Sequence, residues 1–245
     1  LKTAKASLRP AHDRATAIVG ELKRLGSKEV REQIGPRFGI HTTKAFGVGV
    51  IELRRIAKRT GHDHELAAAL WKTGWHEARM LAALLDDPAR VTPAQMDRWC
   101  RDFDNWAICD TACFHLFDRT PHAFAQIEQW SSARAEFVRR AAFALLASVA
   151  LHDKRATNEQ FTRCFPLIEA AANDERNFVK KAVSWALRAI GKRNPPLHAA
   201  ALAVAQRLAA STQPTERWIG KDVCRDLATG ATTRRLARRS SNLAA

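Results

Sequence analysis

No tyrosine occurs in the 245 residues, so no contact or proton transfer here can use a phenolic hydroxyl. Cysteine is sparse and odd in number: Cys100, Cys109, Cys113, Cys164 and Cys224, with no CxxC pair. That pattern excludes a disulfide framework and reads as reduced thiols acting as small buried hydrophobes. Cys109, Cys113 and His115 cluster in sequence, but a fourth ligand at finger spacing is missing, so no zinc site is expected. His62-Asp63-His64 follows Gly61 and precedes a helical run, which makes it a helix-cap region rather than a metal fragment. No apolar run approaches the ~18–20 residues of a membrane-spanning helix, and no secretory apolar region is visible. Nucleotide, flavin and metal signatures are absent, and no cofactor is expected.

Acidic residues are also scarce. There are 25 Asp+Glu against 40 Lys+Arg, a net charge of +15. Such an excess concentrates polyanions at the surface, so nucleic acid is the leading partner class and an anionic membrane surface the next. Hydrophobic residues make up 46%, enough for a sizeable core. Alanine is abundant and long Val/Ile/Thr runs are missing, which points to an all-α fold.

Start and stop signals place the helices. They predict helices from Ala11 to Leu25, Val50 to Arg59, Glu65 to Lys72 and Trp75 to Leu85, with an irregular connection from Gly35 to Gly49. Thr92-Pro93 and Thr120-Pro121 open further helices, with Pro in the first turn of the former. Later helices are expected over Ala133–Leu151, Asn158–Ala172, Glu175–Gly191 and Pro195–Ala210, with a last one from Pro214. Residues 1–231 are taken as one domain and 232–245 as a basic, partly disordered tail.

An internal repeat runs through the second half. Phe137-Val138-Arg139-Arg140-Ala141 recurs 41 residues later as Phe178-Val179-Lys180-Lys181-Ala182, and more weakly as Trp218-Ile219-Gly220-Lys221. Each copy opens the second helix of an inferred pair, the pattern of HEAT or armadillo-type stacking. On the helix holding Trp185, Val179, Val183, Ala186, Leu187 and Ile190 form one apolar stripe. Trp185 lies opposite, with Lys181, Arg188 and Lys192 within about 60° of it. A cation-framed Trp off the core stripe fits a nucleic-acid surface. In the preceding repeat Val138, Ala142, Leu145 and Val149 form the stripe and Arg140 projects from the other side. Stacking then aligns Arg140, Lys181 and Lys221 on one surface.

The stretch Arg101-Asp-Phe-Asp-Asn-Trp-Ala-Ile-Cys-Asp110 holds the second aromatic of interest. Asp104 is the expected N-cap. Trp106 and Asp110 then neighbour each other at i, i+4. A half-buried Trp beside a helix-surface Asp and an aromatic–carboxylate functional pair are both compatible with that spacing.

Taken together, Leu53-Arg54-Arg55-Ile56-Ala57-Lys58, Trp106-x-x-x-Asp110, Arg139-Arg140-Ala141-Ala142 and Phe178-Val179-x-Lys181-Ala182-x-x-Trp185-x-Leu187-Arg188 resemble the AlkD-type DNA alkylation repair proteins. These are HEAT-like-repeat DNA glycosylases, and the resemblance covers about Gly47 to Leu227. It implies an all-α solenoid of antiparallel helix pairs with a concave basic face. The implied activity is monofunctional excision of cationic N3- or N7-alkylated purines from duplex DNA, without flipping the base into a pocket. The implied catalytic residues are Trp106, Asp110 and Trp185. Arg140 matches a DNA-contacting arginine, and Arg139, Lys181, Arg188 and Lys192 join it as expected DNA-binding residues. At Asn105 some relatives carry a second aromatic, and the tyrosine that relatives place in their N-terminal helices has no counterpart. The expected partner is double-stranded DNA with alkylated bases, the expected state a monomer, and the expected location cytoplasmic, at the nucleoid when acting. Two other classes stay open: a non-catalytic HEAT-repeat protein that recognises DNA shape or branching, and a HEAT-type protein scaffold.

Overall fold

The computed structural model describes residues 10–229; the expected basic tail at 232–245 lies outside them. Helices are the regular structure of the described residues, which contain no strands. They divide into two compact units with the boundary after Thr120. No helix among them is long and apolar enough to cross a membrane.

The first unit contains α1 (Ala11–Leu25), α2 (Lys28–Phe38), α3 (Val50–Thr60), α4 (His64–Lys72), α5 (His76–Leu85), α6 (Pro93–Arg101) and α7 (Trp106–His115). Asp63 caps α4 by accepting from Leu66 N at 2.9 Å, as expected of the His62-Asp63-His64 segment. Thr92 caps α6, with Pro93 in its first turn. Helix α2 departs from expectation, because Gly35 and Pro36 suggested irregular chain. Ser27 starts it by accepting from Val30 N, and Gly39 ends it with its N–H directed at Gly35 O and Ile34 O. Pro36 falls in the last turn of the helix, two residues before its end, where it interrupts the bonding at Glu32 without stopping the helix short. The irregular connection is therefore 39–49. Aromatic stacking holds the core here, with Trp71 on Trp99 at 3.9 Å and Phe46 on Trp75 at 4.0 Å.

The second unit contains α8 (Ala123–Trp130), α9 (Glu136–His152), α10 (Asn158–Thr162), α11 (Phe165–Ala171), α12 (Asn177–Gly191), α13 (Pro195–Ala209) and α14 (Pro214–Leu227). Helices α8/α9, α11/α12 and α13/α14 are the pairs that the repeat predicts, and the copies at Phe137, Phe178 and Trp218 lie on the second helix of each. The single helix expected over Asn158–Ala172 is two. Pro166 clashes with the carbonyl four residues back and has no N–H to donate, so α10 ends at Thr162.

Why the third copy of the repeat is weak is visible in the packing. Gly220 stands where Arg139 and Lys180 stand in the other copies. A Cβ there would lie 2.2 Å from Ala209 N and 2.5 Å from Ala205 O, so α13 crosses α14 too closely for any side chain. The stripe of α12 is as predicted: Val179, Val183, Ala186, Leu187 and Ile190 are all fully buried. Helix α9 has no comparable open face, since Arg140 to Ala150 are buried without a break. A helix apolar all round belongs inside.

Candidate active site

In the first unit, the site is built by a loop, a buried acid and the start of α7. The loop 45–48 is held by Glu77, whose carboxylate is 1% exposed. It accepts from Phe46 N at 3.0 Å, Gly47 N at 2.7 Å and Val48 N at 3.2 Å. A carboxylate removed from water needs such donors. Gly47 has φ +82, and a Cβ on it would lie 2.2 Å from Ser27 O. The loop so fixed delivers Val50, Leu53 and Arg54 on α3, which packs on α5, and α5 packs on α7.

The cap of α7 is Asn105, not Asp104. Asn105 Oδ1 accepts from Ala107 N at 3.0 Å and Ile108 N at 3.2 Å. Asp104 instead accepts from Asn105 Nδ2 at 2.7 Å and so orients the capping amide. His76 lies 3.4 Å from the same Nδ2, and burial pushes its imidazole below the ordinary value, toward the neutral form that can accept there. Asn105 is 2% exposed and committed to this role as a buried cap.

Trp106 follows as the first residue of α7. Its Nε1–H donates to Phe38 O at 2.8 Å, and it packs against Ile34, Ile40 and Ala45. That bond fixes the plane of a half-buried ring. Trp106 and Asp110 both line a cleft of about 190 Å³, together with Val50, Leu53, Arg54 and His115. The i, i+4 spacing thus brings the two residues to one concavity. Arg54 was absent from the expected site residues. Its signal was present, since it lies four residues after Val50 on the same helix and within a family-like segment.

Cys109 and Cys113 are buried. Burial, then Cys109 beside it, pushes the Cys113 thiol well above its ordinary value, and the Asp110 charge adds to this. Among the described residues no group of three or more His, Cys, Asp or Glu side chains is placed to hold a metal ion.

In the second unit, Trp185 is half-buried on α12, off the apolar stripe, and Lys181 one turn before it is exposed. The other expected cations are engaged by acids of α14. Arg188 pairs with Asp222 at 3.3 Å and Lys192 with Asp226 at 2.6 Å. Ser184 Oγ also donates to Asp222, at 2.7 Å. The expected frame of three open cations around Trp185 is therefore one exposed lysine and two neutralised pairs. Arg139 donates to Ser131 O and to Asp174 Oδ2, both at 2.9 Å. Arg140 is buried rather than projecting: its Nη1 donates to Phe178 O at 2.7 Å, and its guanidinium lies 5.9 Å from the Phe178 ring centre. Ser131 apart, the sequence could not show these partners, because they lie 34 to 38 residues away.

These helix pairs define a HEAT-like repeat fold. A solved structure described as "a new family of proteins related to the HEAT-like repeat DNA glycosylases with affinity for branched DNA structures" matches it with a TM-score of 0.71. The match covers 86% of this chain and 94% of that one, at 20% identity. More specifically, the family model of the DNA alkylation repair enzymes matches residues 18–219, and the chain belongs to that family. No curated protein sequence matches it.

Proposed function

We propose that the protein is a DNA glycosylase that excises cationic N3- and N7-alkylated purines from duplex DNA. The observation that carries this reading is the shared cleft of Trp106 and Asp110 in a chain of the alkylation repair family. A purine with a quaternary ring nitrogen is already a good leaving group and needs no general acid. The bond from C1′ to the purine breaks with its electron pair going to the base, and the sugar becomes oxocarbenium-like. Asp110 opposes that positive charge and positions the water that attacks C1′. The ring faces of Trp106 and Trp185 favour positive charge through their quadrupoles. Both residues are half-buried, so each offers ring surface.

DNA is held through the basic surface. Lys181 is the exposed member of the proposed DNA-binding set. Arg188 and Lys192 add less net charge because of Asp222 and Asp226. Arg139 and Arg140 act on DNA through the repeat junction they stabilise, or after exchanging their present partners for phosphate. No cofactor takes part, and the working form is a cytoplasmic monomer on double-stranded DNA.

The test is single-turnover base release from duplexes carrying N7-methylguanine, N3-methyladenine or a neutral adduct. Release of the two cationic bases and retention of the neutral one is the expected result. A second reading, non-catalytic recognition of branched DNA, draws on the affinity described for the structural relative. It takes over if the protein binds a four-way junction tightly and releases neither alkylpurine.

A further inference from the structure

The repeat places an aromatic ring at the same position of three second helices: Phe137, Phe178 and Trp218. Phe137 and Phe178 are half-buried, with their ring centres 5.4 Å apart, so each covers the other. Trp218, in the last repeat of the described residues, is 40% exposed. It is one of few large hydrophobic side chains open to solvent there. An indole held open at that position is available to a ligand.

Its surroundings select the ligand's chemistry. Lys180 Nζ lies 5.3 Å from the Trp218 ring centre. Lys221 is exposed one turn further along α14, on the same side as Trp218. The nearby acids are otherwise engaged: Glu216 accepts from Ser211 Oγ, and Asp222 is taken by Ser184, Arg188 and Arg225. A π-face among lysines is the arrangement that binds an unpaired nucleotide, with the base on the ring and the flanking phosphates on the cations. A duplex offers no free base face, so its phosphates alone would leave the indole unused.

We propose that Trp218, with Lys180 and Lys221, forms a stacking site for unpaired nucleotides of single-stranded DNA. The probes are a fluorescently labelled 15-mer of thymidylate, an abasic 15-mer of the same charge, and an intact duplex. Wild type is expected to bind the thymidylate strand more tightly than the abasic one. Trp218→Ala should weaken thymidylate binding roughly 5- to 150-fold, erase the preference over the abasic strand, and change duplex affinity less than about twofold. Trp218→Phe should restore part of the loss. Equal wild-type binding of thymidylate and abasic strands overturns the proposal. So does an equal loss of duplex binding in Trp218→Ala, which would make Trp218 part of a duplex face. Circular dichroism and thermal unfolding of both variants confirm that the fold is kept.

Discussion

The two units solve the same problem, holding short helices together, by different means. In the second, several contacts join each repeat to the next: Arg176 donates to Arg134 O, Arg139 pairs with Asp174, and Arg188 and Ser184 meet Asp222. Rings at equivalent positions touch, as Phe137 does Phe178. In the first unit one buried carboxylate, Glu77, holds a whole loop, and one indole bond, Trp106 to Phe38, sets a ring plane. Stacked repeats distribute stability over many contacts between neighbours, so the loss of any one is buffered. The cleft depends on a few contacts with no equivalent elsewhere.

That contrast predicts unequal sensitivity. Glu77→Ala should cost most, because it strands three buried backbone donors at about 1–3 kcal/mol each; urea unfolding should show a loss above about 3 kcal/mol. Asp174→Asn, in the repeated region, should cost about 1.5–3 kcal/mol, the range for hydrogen bonds to charged groups. Its pH dependence has a definite sign. The Arg176 guanidinium, with Arg139, holds the Asp174 carboxyl below its ordinary value. Its stabilisation is therefore complete above the unfolded carboxylate value of about 4. It is lost as pH falls through the lower folded value. The stability gap between wild type and Asp174→Asn should hold steady from pH 7 to 5 and close at more acid pH. A gap that widens on acidification would contradict the pairing.

Smaller effects sharpen the comparison. Trp106→Phe keeps a ring face but leaves Phe38 O without its donor, for about 1 kcal/mol of stability. Base release should fall more than that stability loss explains, because the ring is no longer oriented. Smallest are the surface cations. Lys181→Ala should reduce the slope of log affinity against log salt by about 0.9, the value for one phosphate contact. Lys192→Ala, removing a charge already balanced by Asp226, should change it less. Equal slopes for the two variants would mean that the ion pair opens on DNA.

What could be read from the sequence follows the same division. The helix pairs, the 41-residue period and the position of Trp185 off its stripe were legible, since each rests on local periodicity. Trp106 and Asp110 were legible as a pair because they are one turn apart. Asn105 as cap, the burial of Glu77 and the acids facing Arg188 and Lys192 were not. The last two depend on which groups meet across tens of residues, which neither periodicity nor helix propensity carries, while Asp104 and Asn105 are both good caps and one residue of register decides between them. The burial of Arg140 was half visible: the unbroken apolar run from Ala141 to Leu146 left no open face for its helix to present.

The central claim is that the carboxylate in the Trp106 cleft does chemistry rather than packing. Asp110→Asn keeps shape and hydrogen bonding but removes the charge. The decisive measurement is single-turnover release of N7-methylguanine by wild type and Asp110→Asn, with affinity for the same duplex measured in parallel. A loss of about 10²–10³ in rate with affinity unchanged or slightly raised is the predicted result. Release by Asp110→Asn at the wild-type rate would contradict it.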